Sequence, residues 1–156
     1  MFRASSHVNA SKNRLFTFLV ALLMLVPFGL PQAAFAEDAA QKSLSIELNA
    51  AQQDGERCRL VFLATNATGQ DIDSLSLETV LFDAGGTFLR LTLFDFKELP
   101  NGRPRVRQFA VPKTPCADLG RILINGTSVC KVAGADASLC ENELKLETKT
   151  KLELIG

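Results

Sequence analysis

The chain is poor in the residues that most enzymes use. Its 156 residues include one histidine, two methionines, no tryptophan and no tyrosine. The histidine is His7 and the methionines are Met1 and Met24, so all three lie in the first 36 residues. Acidic side chains are absent from that stretch, which carries Arg3, Lys12 and Arg14 ahead of an uncharged apolar run from Leu15 to Leu30. At sixteen residues, interrupted by Pro27 and Gly29, the run is shorter than the ~20 apolar residues of a membrane-spanning helix. It leads into Ala34-Phe35-Ala36, the small-x-small pattern that signal peptidase reads. Residues 1–36 therefore read as a cleavable signal peptide with a helical apolar segment. Residues 37–42 read as a flexible arm and 43–156 as the exported domain, destined for the periplasm. Lys12-Asn13-Arg14 contains no paired arginines, which favours the general secretion route over the twin-arginine one.

Removing the leader changes what chemistry is available. Of 17 basic residues, Arg3, Lys12 and Arg14 depart, leaving 14 against 17 acidic, a formal charge of −3 on 120 residues. A domain without histidine has no Ser-His-Asp or Cys-His nucleophile. Its mildly acidic balance argues against nucleic-acid binding, where a basic surface supplies most of the affinity. No apolar stretch long enough to span a membrane remains after cleavage. The carboxylates Asp83, Asp95 and Glu98 show no paired arrangement for acid–base work. Asp83 and Asp95 instead suit turn and strand-end positions, where a carboxylate accepts backbone N–H bonds. The sequence is that of a non-catalytic protein without a cofactor.

What remains is dominated by a period of two, the signature of strands. Leu44, Ile46 and Leu48 alternate with polar residues; Cys58 to Asn66 is apolar on both faces, as a central strand would be. Ile72 to Phe82 and Thr87 to Phe94 flank Asp83-Ala84-Gly85-Gly86, a hairpin turn. Arg105 to Val111, Arg121 to Cys130 and Leu144 to Ile155 complete seven strands. Leu144, Leu146, Leu152 and Leu154 face one way along the last. Leu139 to Leu144 could form one helical turn, and Asn125-Gly126 reads as a turn. Seven strands with short connections predict an all-β, antiparallel β-sandwich.

The four cysteines are Cys58, Cys116, Cys130 and Cys140, an even number in a small exported domain, which reads as two disulfides. If the strands run up and down in order, Cys58 opens the second and Cys116 precedes the sixth at the same end of the sandwich. Cys130 and Cys140 share the hairpin at the other end. The predicted pairing is Cys58–Cys116 and Cys130–Cys140. A metal site is disfavoured by the lack of histidine and of any C-x-x-C, with 57, 13 and 9 residues between successive cysteines.

Asn66, Ile72, Leu75, Leu77, Val80-Leu81-Phe82-Asp83 and Gly86 resemble the pattern of small immunoglobulin-like domains of the FxLYD kind. That resemblance implies an immunoglobulin-like sandwich and an accessory or interaction role outside the cytoplasm. More broadly, the C-R-L-x-F opening, L-F-D-x-x-G, R-V-R-Q-F and R-I-L-I-N-G stretches are similar to a group of exported alphaproteobacterial proteins. Members of that group are often labelled by a twin-arginine signal; Lys12-Asn13-Arg14 departs from it.

One polar feature stands out. Arg103, Arg105 and Arg107 are spaced two apart, so an extended strand would place three guanidinium groups on one face. Such a ladder suits a carboxylate or phosphate. The same arginines also suit an edge strand whose charges discourage aggregation, and Pro104 supports the edge placement. The expected role is therefore an envelope accessory or interaction domain with an unidentified protein partner, with small-ligand or anion binding by the arginine strand as the alternative and an enzyme of unknown type as the third reading.

Overall fold

A computed structural model describes residues 41–156; the leader, Ala34 and Ala36, and the start of the arm lie outside the described residues. The strands are β1 (Leu44–Asp54), β2 (Arg57–Asn66), β3 (Ile72–Asp83), β4 (Phe88–Leu99), β5 (Arg105–Val111), β6 (Leu119–Val132), β7 (Ala135–Asp136), β8 (Leu144–Thr148) and β9 (Glu153–Ile155). A single-turn helix, α1 (Leu139–Asn142), precedes β8. They form two sheets. The first has the order β5-β2-β1-β8; the second has the order β4-β3-β6-β7, with β9 also paired to β6.

Alternation drives the packing. Leu44, Ile46, Leu48, Leu60 and Phe62 from the first sheet meet Leu75, Leu77, Leu81, Phe96 and Ile122 from the second, all fully buried. Burying one Leu or Phe side chain contributes about 1.5–3 kcal/mol, so this shared core is the main force holding the sheets together. Four phenylalanines fill one side of it. Phe62 packs against Phe94 and Phe96, and Phe94 stacks on Phe109 of β5 with ring centroids 4.3 Å apart.

The hairpin at residues 83–87 closes as its sequence asks. Asp83 Oδ1 accepts from the N–H groups of Gly85 (2.9 Å) and Thr87 (2.7 Å). Gly86 adopts a φ of 83°, which a residue with a Cβ rarely does. The disulfides are Cys58–Cys116 and Cys130–Cys140, the pairing that strand order predicts.

Among the described residues nine strands stand where seven were expected, and β4 runs on to Leu99, past the expected end at Phe94. Three further details differ from the sequence reading. The expected last strand, Leu144 to Ile155, is two short strands in opposite sheets: β8 pairs with β1 and β9 with β6, both in parallel. The sandwich is therefore mixed rather than purely antiparallel. The crossing is built by threonines, with Thr148 Oγ1 accepting from Thr150 N–H and Thr150 Oγ1 from Leu152 N–H, each at 3.1 Å. Asn125-Gly126 is not a turn but lies inside β6 at a bulge. Ile124 pairs with Thr79 and Gly126 with Glu78, leaving Asn125 as the extra residue. Finally, the helical turn ends at Asn142, short of Leu144.

Candidate interaction surface

Among the described residues, strand β4 lies at the end of its sheet and has a strand neighbour only on the β3 side. Its register with β3 sets which side chains face out. Leu77 opposes Phe94, and both are buried between the sheets. Val80 therefore faces the opposite way, and so does Leu91, its partner. The outer face then continues across the sheet in one in-register row: Leu91 beside Val80, Val80 beside Leu123, Leu123 beside Ile155. Leu89 and Leu93 extend the apolar character along β4, and Phe88 pairs with Phe82 at its start. Phe88 (59%), Leu91 (52%) and Leu93 (54%) are each more than half exposed, with Leu89 at 39%. A contiguous exposed apolar patch of this kind marks a contact surface more often than it marks ordinary surface scatter.

Charge surrounds the row without entering it. Arg121 pairs with Glu153 on one side, and Asn125 donates to Glu78 on the other. The alternation of Thr87 to Phe94 is visible in the sequence. It does not reveal that the leucines point outward, because Phe94, Thr92 and Arg90 form an equally regular alternate set.

The arginines separate by function. Arg103 is exposed in the turn before β5, and Arg105 is half-buried on the strand. Strand β5 is indeed an edge of its sheet. Arg107 reaches across to the other sheet, where Nε donates to the Phe96 carbonyl at 2.6 Å and Nη2 to the Glu98 carbonyl at 3.0 Å. Its side chain is 19% exposed, and the Glu98 carboxylate lies 3.4 Å away. Glu98 is held below the usual carboxylate range first by a hydrogen bond from its own backbone; desolvation opposes this, and the charges of Arg107, Arg105 and Lys97 add to the lowering. Arg107 is thus a brace between the sheet edges, its Nε and Nη2 already donating to backbone carbonyls. Asp95, expected at a strand end, lies inside β4, where its Oδ1 accepts the Lys97 N–H at 2.9 Å across a register irregularity.

A recess of about 500 Å³ opens beside β6, lined by Asn125, Thr127 and Glu141 with Leu144, Leu146 and Leu154. Thr127 Oγ1 is buried there without a hydrogen-bond partner among the described residues. Also among the described residues, no three His, Cys, Asp or Glu side chains are placed to hold a metal ion. No helix among them is long and apolar enough to cross a membrane.

No family model matches the chain, and no curated protein matches it. Among solved structures it is similar to IrmA from Escherichia coli, at 14% identity and a TM-score of 0.47, over 68% of this chain and 92% of that one.

Proposed function

We propose that the chain is a non-catalytic interaction domain of the bacterial periplasm that binds a protein partner through the outer face of β4. The observation that carries this reading is the row Leu91–Val80–Leu123–Ile155 with Leu89 and Leu93 beside it, apolar and largely uncovered at its β4 end. Two disulfides fit an oxidising compartment, and the FxLYD-like stretch fits an immunoglobulin-like accessory module. The arginine strand supports an anion-binding reading less well, since Arg107 already satisfies two backbone carbonyls.

The test is cross-linking in intact envelopes, comparing the native chain with Leu93→Arg and with the triple change Arg103→Gln, Arg105→Gln, Arg107→Gln. Loss of a defined cross-linked adduct in Leu93→Arg, and its retention in the arginine variant, supports the leucine face. The reverse pattern transfers the site to the arginines and refutes this reading.

A further inference from the structure

Val80 and Leu91 are paired neighbours on the same outer face, yet Val80 is 8% exposed and Leu91 is 52% exposed. The difference is lateral. Val80 has Leu91 on one side and Leu123 on the other, whereas Leu91 has Val80 on one side and, among the described residues, no strand on its other. A strand added to that edge would give Leu91 the flanking neighbour that Val80 already has.

The remaining edges are defended. Strand β5 carries Arg105 and Arg107 and follows Arg103 and Pro104, β8 carries Lys145 and Glu147, and β7 and β9 have only two and three residues. Charge, proline and shortness are the usual devices against strand addition. The second half of β4 is closed too, by Arg107 on the carbonyls of Phe96 and Glu98. Its first half, Phe88 to Phe94, has no lysine, acid or proline, and after a bulge at Leu89 it pairs regularly with β3 from Arg90 to Phe94. Its single charge, Arg90, reaches the Pro112 carbonyl in the opposite sheet at 3.3 Å.

That half-strand reads F-L-R-L-T-L-F, nearly the same in both directions about Leu91. Antiparallel pairing of two identical strands reverses one against the other, so a palindromic segment is self-complementary. Centred on Leu91, the pairing sets Leu91 against Leu91 of the other copy and Arg90 against Thr92 along the regular stretch, and brings Leu93 to the bulged Leu89. Apolar side chains meet apolar ones, and no like charges face each other across the axis.

We infer that β4 is the seam of a homodimer, in which two copies pair their Phe88–Phe94 edges antiparallel about a two-fold axis at Leu91. This rests on the reading of β4 as the contact surface and specifies its occupant as a second copy.

Sedimentation of the exported, disulfide-intact chain over about a hundredfold range of concentration should show a concentration-dependent species of twice the mass. Leu91→Arg sets two positive charges together at the axis and should weaken the dimer at least about tenfold. Because that substitution could also impair folding, Leu91→Cys provides a second reading. Mild oxidation should join two copies through residue 91, while Leu123→Cys, two strands away on the same face, should not cross-link. A chain that stays monomeric throughout overturns the inference, as does a dimer indifferent to Leu91→Arg with no cross-link at 91. A monomer whose envelope adduct is lost in Leu91→Arg and Leu93→Arg overturns the dimer and leaves the contact surface standing. A Leu91-dependent dimer whose envelope adduct has twice the mass of the chain supports the dimer and refutes a foreign partner.

Discussion

Asn66 Nδ2 donates to the carbonyl of Leu99 at 2.7 Å, a bond that joins β2 of one sheet to β4 of the other. The same amide group donates to the Gln70 carbonyl at 2.8 Å, and its Oδ1 accepts from both the N–H (3.0 Å) and the hydroxyl (2.8 Å) of Thr68. Asn66 and Thr68 are fully buried, so none of these groups has water as an alternative. Asn66→Ala would leave the Leu99 carbonyl and the Thr68 hydroxyl without this partner, at a cost of about 3 kcal/mol. Urea unfolding at neutral pH measures it, and a loss under about 1 kcal/mol would refute a structural role for the network.

The two disulfides should differ in weight. Cys58–Cys116 spans 58 residues and Cys130–Cys140 spans 10. By loop entropy the first stabilises by about 4 kcal/mol and the second by about 2.7. Double Cys→Ser replacement of each pair, compared by thermal and urea unfolding, should rank them in that order. The opposite ranking would show that the short bridge around α1 acts through native packing, not through the unfolded chain.

Like Glu98, Glu47 should contribute to acid sensitivity. Its carboxylate accepts from Asn49 Nδ2 at 2.9 Å and lies 3.0 Å from Lys149 Nζ, and these contacts, the Asn49 bond first, hold it below the usual glutamate range. It also stands in register with Glu147 of β8, so Lys149 offsets two like charges on adjacent strands. A carboxylate whose folded value is depressed stabilises the fold above its unfolded value, about 4.3, and that contribution is lost as pH falls through the folded value. Glu47→Gln should therefore lower stability at pH 7 and flatten its decline below about pH 4.3. A parallel pH profile in the variant would exclude Glu47 as a source.

The arginines should separate in the same kind of experiment. Arg107→Gln removes the donors to the Phe96 and Glu98 carbonyls and should cost about 1–3 kcal/mol. Arg103→Gln, on an exposed side chain, should fall within about 0.5 kcal/mol of the native chain. Equal effects at both positions would contradict the brace.

Much of the fold is legible in the sequence. The alternation of Leu44–Leu48 and of Ile72–Phe82 marks strands because one face must be buried. Asp83 marks its turn because a short carboxylate can bond backbone N–H groups there. Strand order alone ranks the cysteine pairings. The sheet switch at Thr148–Leu152 was not legible, because Leu146 and Leu152 are an even number of residues apart and the alternation runs on unbroken. Asn125-Gly126 carries a turn's chemistry, but a bulge satisfies the same preference inside a strand. The outward leucines of β4 were hidden for a related reason: with two regular alternate sets, only the register against β3 decides which one meets the core. Arg107 could not be told from its neighbours because its partners are backbone carbonyls, which no side-chain pattern announces.

The division of the final segment between β8 and β9 also sets how the domain would bear load. Chain enters β1 at Leu44, while β8 leaves at Thr148, the opposite end of the same parallel pair. Tension applied between the two ends of the domain, once β9 has peeled from β6, draws these strands along their length in opposite directions. The hydrogen bonds between Leu44–Leu48 and Leu144–Thr148 then stretch together, as a lap joint does, instead of opening one by one like a zip.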